Sequence, residues 1–172
     1  MAVGLLKKAL IVGALIGLHA PLASAEDCKE PCDARHKQCE ATTAAVVAGV
    51  RGTTIAPITG DEMEEGWREL SHPNATGFSI YCGKDGIAAN AEWKDAFPPA
   101  AFFDLVSQAG SIVTERPLSG IQSGAARCHQ QALVDEDHML EMKIDGVIYQ
   151  CKAGEALGGA SITIIRPQPP QE

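Results

Sequence analysis

Three of the six cysteines crowd into Cys28-Lys-Glu-Pro-Cys32-Asp-Ala-Arg-His36-Lys-Gln-Cys39, while Cys82, Cys128 and Cys151 are spread over the rest of the chain. Six cysteines in an exported chain read first as three disulfides. Three is odd, so if all six are oxidised, at least one cysteine of the cluster pairs with Cys82, Cys128 or Cys151. Of the 15 possible pairings, the larger share keep one bridge inside the cluster. Every one of them ties the cluster to the body. Each such bridge closes a loop of tens of residues and is worth about 2–4 kcal/mol.

The disulfide reading depends on export, and the start of the chain supports it. Lys7 and Lys8 form a short basic region, Ala9 to Leu18 an apolar run, and Ala23-Ser24-Ala25 a small-x-small cleavage site. The apolar run is about half the length of about 20 residues that a bilayer core requires. Residues 1–25 are therefore expected to be a signal peptide cleaved after Ala25, and the location periplasmic or secreted. A single disulfide-stabilised domain is expected over 26–166, followed by a Pro-rich disordered tail over 167–172.

Charge narrows the partners. The formal net charge is −8, and losing Lys7 and Lys8 with no acid takes it to −10 (−8 − 2). An acidic chain without basic clusters argues against nucleic acid and anionic lipid. It leaves basic proteins and cations. Aromatic residues make up 5 % of the chain, so the core must be mostly aliphatic and alanine, and thin enough to benefit from cross-links.

Periodicity places the elements. Pro31 suits the first turn of a helix running to about Val50, with Cys32, Cys39, Val46 and Val50 on its inner face. Asp61 followed by Glu64 resembles a capping pair and predicts a short helix through about Leu70. Phe78, Ile80 and Cys82 alternate as a half-buried strand, and Ile87 to Ala89 is read as its short returning partner. Pro98-Pro99 predicts a helix carrying Phe102, Leu105, Val106 and Ala109, ended by Gly110, with an extended stretch over 111–115. Ser119 is expected to cap another helix with Ile121, Ala125, Cys128 and Ala132 on its inner stripe. Leu140, Met142 and Ile144, then Asp145-Gly146, then Val147, Tyr149 and Cys151 predict a hairpin. A flexible loop over 154–159 and a third strand over 161–166 follow. Helices first and strands last predict an α+β fold: N-terminal and central helices packed on a small antiparallel sheet with a C-terminal β-meander.

The chemistry is sparse. Cys28, Cys32, His36 and Cys39 have the donor types of a zinc or copper(I) site, though an oxidising compartment and an even cysteine count favour disulfides. The acidic run Asp135-Glu136-Asp137-His138 with Glu141 lacks the order of a calcium loop. No nucleophile elbow, metalloprotease helix or phosphate loop is present, and Cys128-His129 point about 100° apart on a helix. No catalytic residue and no cofactor is assigned. An enzyme stays open only if a histidine and a carboxylate converge in a deep pocket. Trp67, Trp93 and Phe97 are the candidate binding residues, as aromatics in or beside expected loops. The leading expectation is an exported non-catalytic binding module of inhibitor, immunity or accessory-subunit type, engaging another exported protein. The alternative is a periplasmic metal-binding protein using Cys28, Cys32, His36 and Cys39.

Overall fold

The structure is a computed structural model that describes residues 31–56, 66–83, 85–135 and 139–168, with side chains in the first helix described from Lys37 onward. Helix α1 (Pro31–Gly49) leads into four strands, β1 (Thr54–Ile55), β2 (Trp67–Ser71), β3 (Gly77–Gly83) and β4 (Gly86–Trp93). Helices α2 (Ala100–Thr114) and α3 (Leu118–Ala132) follow, then β5 (Leu140–Ile144), β6 (Val147–Gly154) and β7 (Gly159–Pro167). All seven strands form one antiparallel sheet in the order β1-β2-β3-β4-β7-β6-β5. The first four run inward from one edge and the last three inward from the other. β4 and β7 therefore meet at the centre, with Ala89 opposite Ile164 and Ala91 opposite Ile162.

All three helices lie on one face of this sheet. Ile80, Ala89, Ile164 and Tyr149 stand in register across β3, β4, β7 and β6, so their side chains point to one side. Cys82 and Cys151 share that side by the two-residue period of their strands. Cys39 of α1 is bridged to Cys82, and Cys128 of α3 to Cys151. Gly110 of α2 lies against Ile164 between them. Each outer helix is thus riveted to the strand beside the central pair, β3 on one flank and β6 on the other. The core enclosed is aliphatic, as the composition demands. Ile80, Ile162, Ile164 and Tyr149 of the sheet are buried with Val46, Phe102, Leu105, Val106, Ile121 and Ala125 of the helices.

Much of the expected α+β plan is present: α1 starts at Pro31, the α3 stripe of Ile121, Ala125, Cys128 and Ala132 is buried, and the β5–β6 hairpin forms. Asp145 and Gly146 both take positive φ, 51° and 82°, which a two-residue hairpin of the I′ type requires. Among the described residues, no helix is long and apolar enough to cross a membrane.

Other expectations are corrected. The helix expected through Leu70 is a strand from Trp67, because Leu70 pairs with Phe78 and is buried between strands; Asp61 and Glu64 lie outside the described residues. Gly110 does not stop α2. A Cβ there would come 2.6 Å from Ile164 Cδ1, so the glycine is a contact surface, and the helix continues to Thr114 before Glu115 turns left-handed at φ 56°. The stretch expected as a flexible loop is a single 3₁₀ turn, Glu155–Leu157, joining two paired strand ends. Pro167, assigned to the tail, is the last residue of β7, and Gln168 N–H donates to the Asp85 carbonyl. Two disulfides rather than three lie among the described residues; Cys28 and the Cys32 side chain fall outside them.

Candidate functional site

With the helices on one side, the other face of the sheet is the broad surface to consider. Its residues fall into ordered rows because every strand is in register with its neighbour. The first row runs Trp67, Tyr81, Ala88, Ile165 and Ile148 across β2, β3, β4, β7 and β6, and ends at Lys143 on β5. Strands lie about 4.8 Å apart, so the five uncharged members span about 19 Å. Trp67 and Tyr81 pack ring to ring, centroids 5.1 Å apart and tilted by 45°. Except for Ala88, which is buried, these five are half-buried. A continuous apolar row on a face that no described helix covers is what marks a docking surface.

The adjacent row is polar: Glu69, Ser79, Asn90, Thr163, Gln150 and Glu141. Asn90 Oδ1 accepts from the Ser161 hydroxyl at 3.2 Å and from the Thr163 hydroxyl at 2.9 Å, which fixes its amide against β7. Gln150 Nε2 donates to Glu141 Oε2 at 3.0 Å. Ser79 Oγ is different: its residue is 5 % exposed and the hydroxyl has no hydrogen-bond partner among the described residues. A buried hydroxyl left unpaired costs about 1–3 kcal/mol, so such atoms are uncommon in folded proteins.

The two rows meet in a groove of about 290 Å³ over β2, β3 and β4, lined among others by Trp67, Glu69, Thr76, Ser79, Asn90 and Glu92. The Glu92 side chain lies over Gly77, where a Cβ would come 3.1 Å from Oε2. Thr76 closes that end, its N–H and hydroxyl both donating to the Glu92 carbonyl, at 2.8 and 3.1 Å. The groove offers one aromatic wall, two carboxylates and an unpaired hydroxyl.

The candidates chosen from sequence are not gathered here. Trp67 is on the open face, in a strand rather than a loop. Trp93 ends β4 on the helix side, its ring 6.4 Å from Phe102. Phe97 is 76 % exposed between β4 and α2. Cys39 is bridged to Cys82, which removes its thiolate from the set with Cys28, Cys32 and His36; those three side chains lie outside the described residues. Among the described residues, no group of three His, Cys, Asp or Glu is placed to hold a metal ion.

The two described histidines, His72 and His129, serve the fold. His72 is buried and clamps the β2–β3 turn: its Nδ1 accepts from the Asn74 N–H, so Nε2 donates to the Arg51 carbonyl at 3.1 Å. His129 donates from Nε2 to the Ala96 carbonyl at 2.9 Å and packs edge-on to Phe103. Burial holds its pKa below the ordinary histidine value, against the opposing pull of that hydrogen bond. Neither shares the groove with Glu69 and Glu92.

Trp67 was detectable from sequence as an aromatic residue. Tyr81, Ser79 and Asn90 carried no signal because only the pairing of β2, β3 and β4 gathers them, and Ile165 and Ile148 join the row only once β7 lies between β4 and β6. Compared with protein-family models, curated proteins and solved structures, the chain matches none.

Proposed function

We propose that this chain is an exported, non-catalytic binding module that docks another protein on the open face of its sheet. The single observation that carries the reading is the row Trp67, Tyr81, Ala88, Ile165 and Ile148, half-buried for the most part and set opposite the helix-covered face. Large aromatic side chains at the centre of a flat surface are where interface energy concentrates. The acidic balance of the chain favours a partner of opposite charge.

Capture from the native exported fraction tests this. Trp67→Ala at one end of the row and Ile165→Lys on the far side of Ala88 are each expected to weaken a saturable partner by tenfold or more, since one anchor is worth about 2 kcal/mol or above. Both positions are half-buried on the outward face, so each variant is first checked for a cooperative unfolding transition before a loss of capture is read as lost contact. Absence of any saturable protein partner, or a partner indifferent to both substitutions, would overturn the reading.

The staple is part of the same proposal. Of the 15 pairings open to six cysteines, one alone contains both Cys39–Cys82 and Cys128–Cys151, and it joins Cys28 to Cys32. We infer that third bridge by elimination. Alkylation before reduction should then leave the intact mass of the mature chain unchanged. Two adducts, mapped to Cys28 and Cys32, would sink it.

A further inference from the structure

We propose that the groove over β2, β3 and β4 receives the guanidinium of an arginine side chain on the partner. This rests on the open face being a protein-docking surface and says what chemistry its polar end reads. Glu69 of β2 stands directly opposite Ser79, and Glu92 of β4 stands one row along, opposite Gly77, so the two carboxylates line the groove from the strands on either side of β3. Among the described residues, no cation pairs with either carboxylate. Ser79 of β3 lines the same groove, is 5 % exposed, and its Oγ has no hydrogen-bond partner among the described residues. The protein thus keeps an acceptor desolvated and unused at the floor of a site with two negative walls.

A neutral sugar would use the hydroxyl but would leave two carboxylates without charge compensation. A guanidinium uses all of it. Its planar fork carries five donors, enough to reach two carboxylates and a hydroxyl at once, and its face stacks on an indole. Trp67 supplies the indole at the groove's edge, held by its contact with Tyr81. Lysine would bring a compact ammonium with three donors and no plane to stack. The chain's net charge of −8 adds long-range attraction for such a partner.

The two tryptophans make the test specific. Trp67 lines the groove, while Trp93 lies on the helix side against Phe102 and reports on the fold. Titration of the mature, oxidised protein with N-acetylarginine amide, followed by the indole N–H resonances, should shift Trp67 saturably and leave Trp93 still. The expected Kd is on the order of 1 mM, as befits a fragment of this size. N-acetylcitrulline amide, uncharged but of the same shape, should bind at least tenfold more weakly, and N-acetyllysine amide several-fold more weakly. The double substitution Glu69→Gln with Glu92→Gln should weaken arginine amide by tenfold or more. Ser79→Ala should weaken it about threefold or more while raising the denaturation midpoint, a pair of opposite changes that a purely structural serine would not give.

Equal responses to arginine, citrulline and lysine amides would overturn the assignment, as would a response to methyl glucoside that matches arginine. The partner-capture experiment separates the two levels. If capture survives Glu69→Gln with Glu92→Gln but is lost in Trp67→Ala and Ile165→Lys, the arginine site falls and the docking face stands. If capture survives all of them, both fall.

Discussion

Replacing Cys39 and Cys82 together by alanine is expected to lower stability by about 4 kcal/mol, and replacing Cys128 and Cys151 by about 3 kcal/mol. The difference follows from the loops closed, with sequence separations of 43 and 23, because the entropy a cross-link removes from the unfolded chain grows with the logarithm of the loop. A single domain has about 5–15 kcal/mol in total, so losing both bridges should leave the protein unfolded or close to it at 25 °C. Denaturant unfolding followed by circular dichroism checks each value. The slope m should rise in every variant, since an unlinked denatured chain exposes more surface.

The two bridges should also differ in where the damage falls. Among its described side chains, helix α1 buries only Cys39, Thr43 and Val46, with Val50 buried just past its end, and Thr43 Oγ1 has no partner among the described residues. Without the bridge, α1 is expected to open locally before the rest of the domain, and amide exchange should accelerate there first. Helix α3 buries Ile121, Gly124, Ala125, Cys128, His129 and Ala132, so it should stay protected until the whole domain unfolds. A loss below about 1 kcal/mol in the Cys39/Cys82 variant, with α1 exchange unchanged, would mean that packing alone holds α1 in place.

This division of labour explains which parts of the fold were legible in advance. Local signals were enough where one element decides its own state. Asp145-Gly146 specifies its hairpin through the positive φ at both positions, and the stripe Ile121, Ala125, Cys128 and Ala132 specifies which side of α3 is buried. Non-local decisions were not legible. Gly110 carries the same letter whether it ends a helix or makes room for a partner, and only Ile164, far along the chain, settles the matter. Trp67 to Leu70 followed an apparent capping pair at Asp61, yet pairing with Tyr81 and Phe78 makes it strand. Tertiary pairing outweighs a helix signal whose worth is about 1 kcal/mol. The site suffered most, because its rows run across two separately built halves of the sheet that meet only at the β4–β7 seam: Ala88 meets Ile165, and Asn90 meets Thr163. No window of sequence contains such a row. Parity of the cysteines was the one long-range inference available, and it anticipated a bridge from the N-terminal cluster to the body, found as Cys39–Cys82.

The same helix should respond in opposite senses to one substitution made at two glycines. Gly120 lies near the start of α3, exposed, and a Cβ there meets nothing within 4 Å. Gly120→Ala gains helix propensity and reduces the freedom of the unfolded chain, so it should stabilise by about 0.5 kcal/mol. Gly124 is one turn on and buried, and a Cβ there would sit 2.4 Å from Tyr149 Cζ and 2.5 Å from its hydroxyl. Tyr149 is 2 % exposed and stands in register between Met142 and Ile164, so its ring has nowhere to swing. Gly124→Ala must lift α3 from the sheet or push the ring into its neighbours. Overpacking of this kind costs about 1–3 kcal/mol, against about 1 kcal/mol gained in propensity. The clash wins, and the net loss should reach about 1–2 kcal/mol. Gly124→Val adds two more methyl groups to the same contact without the propensity gain, and should cost about 4 kcal/mol or prevent folding. Thermal or denaturant midpoints of Gly120→Ala and Gly124→Ala, measured side by side with both disulfides intact, check the sign. Stabilisation by Gly124→Ala would mean that α3 rides farther from β6 than its contact with Tyr149 implies. The bridge from Cys128 to Cys151, one turn farther along the same face, would then be bearing the attachment alone.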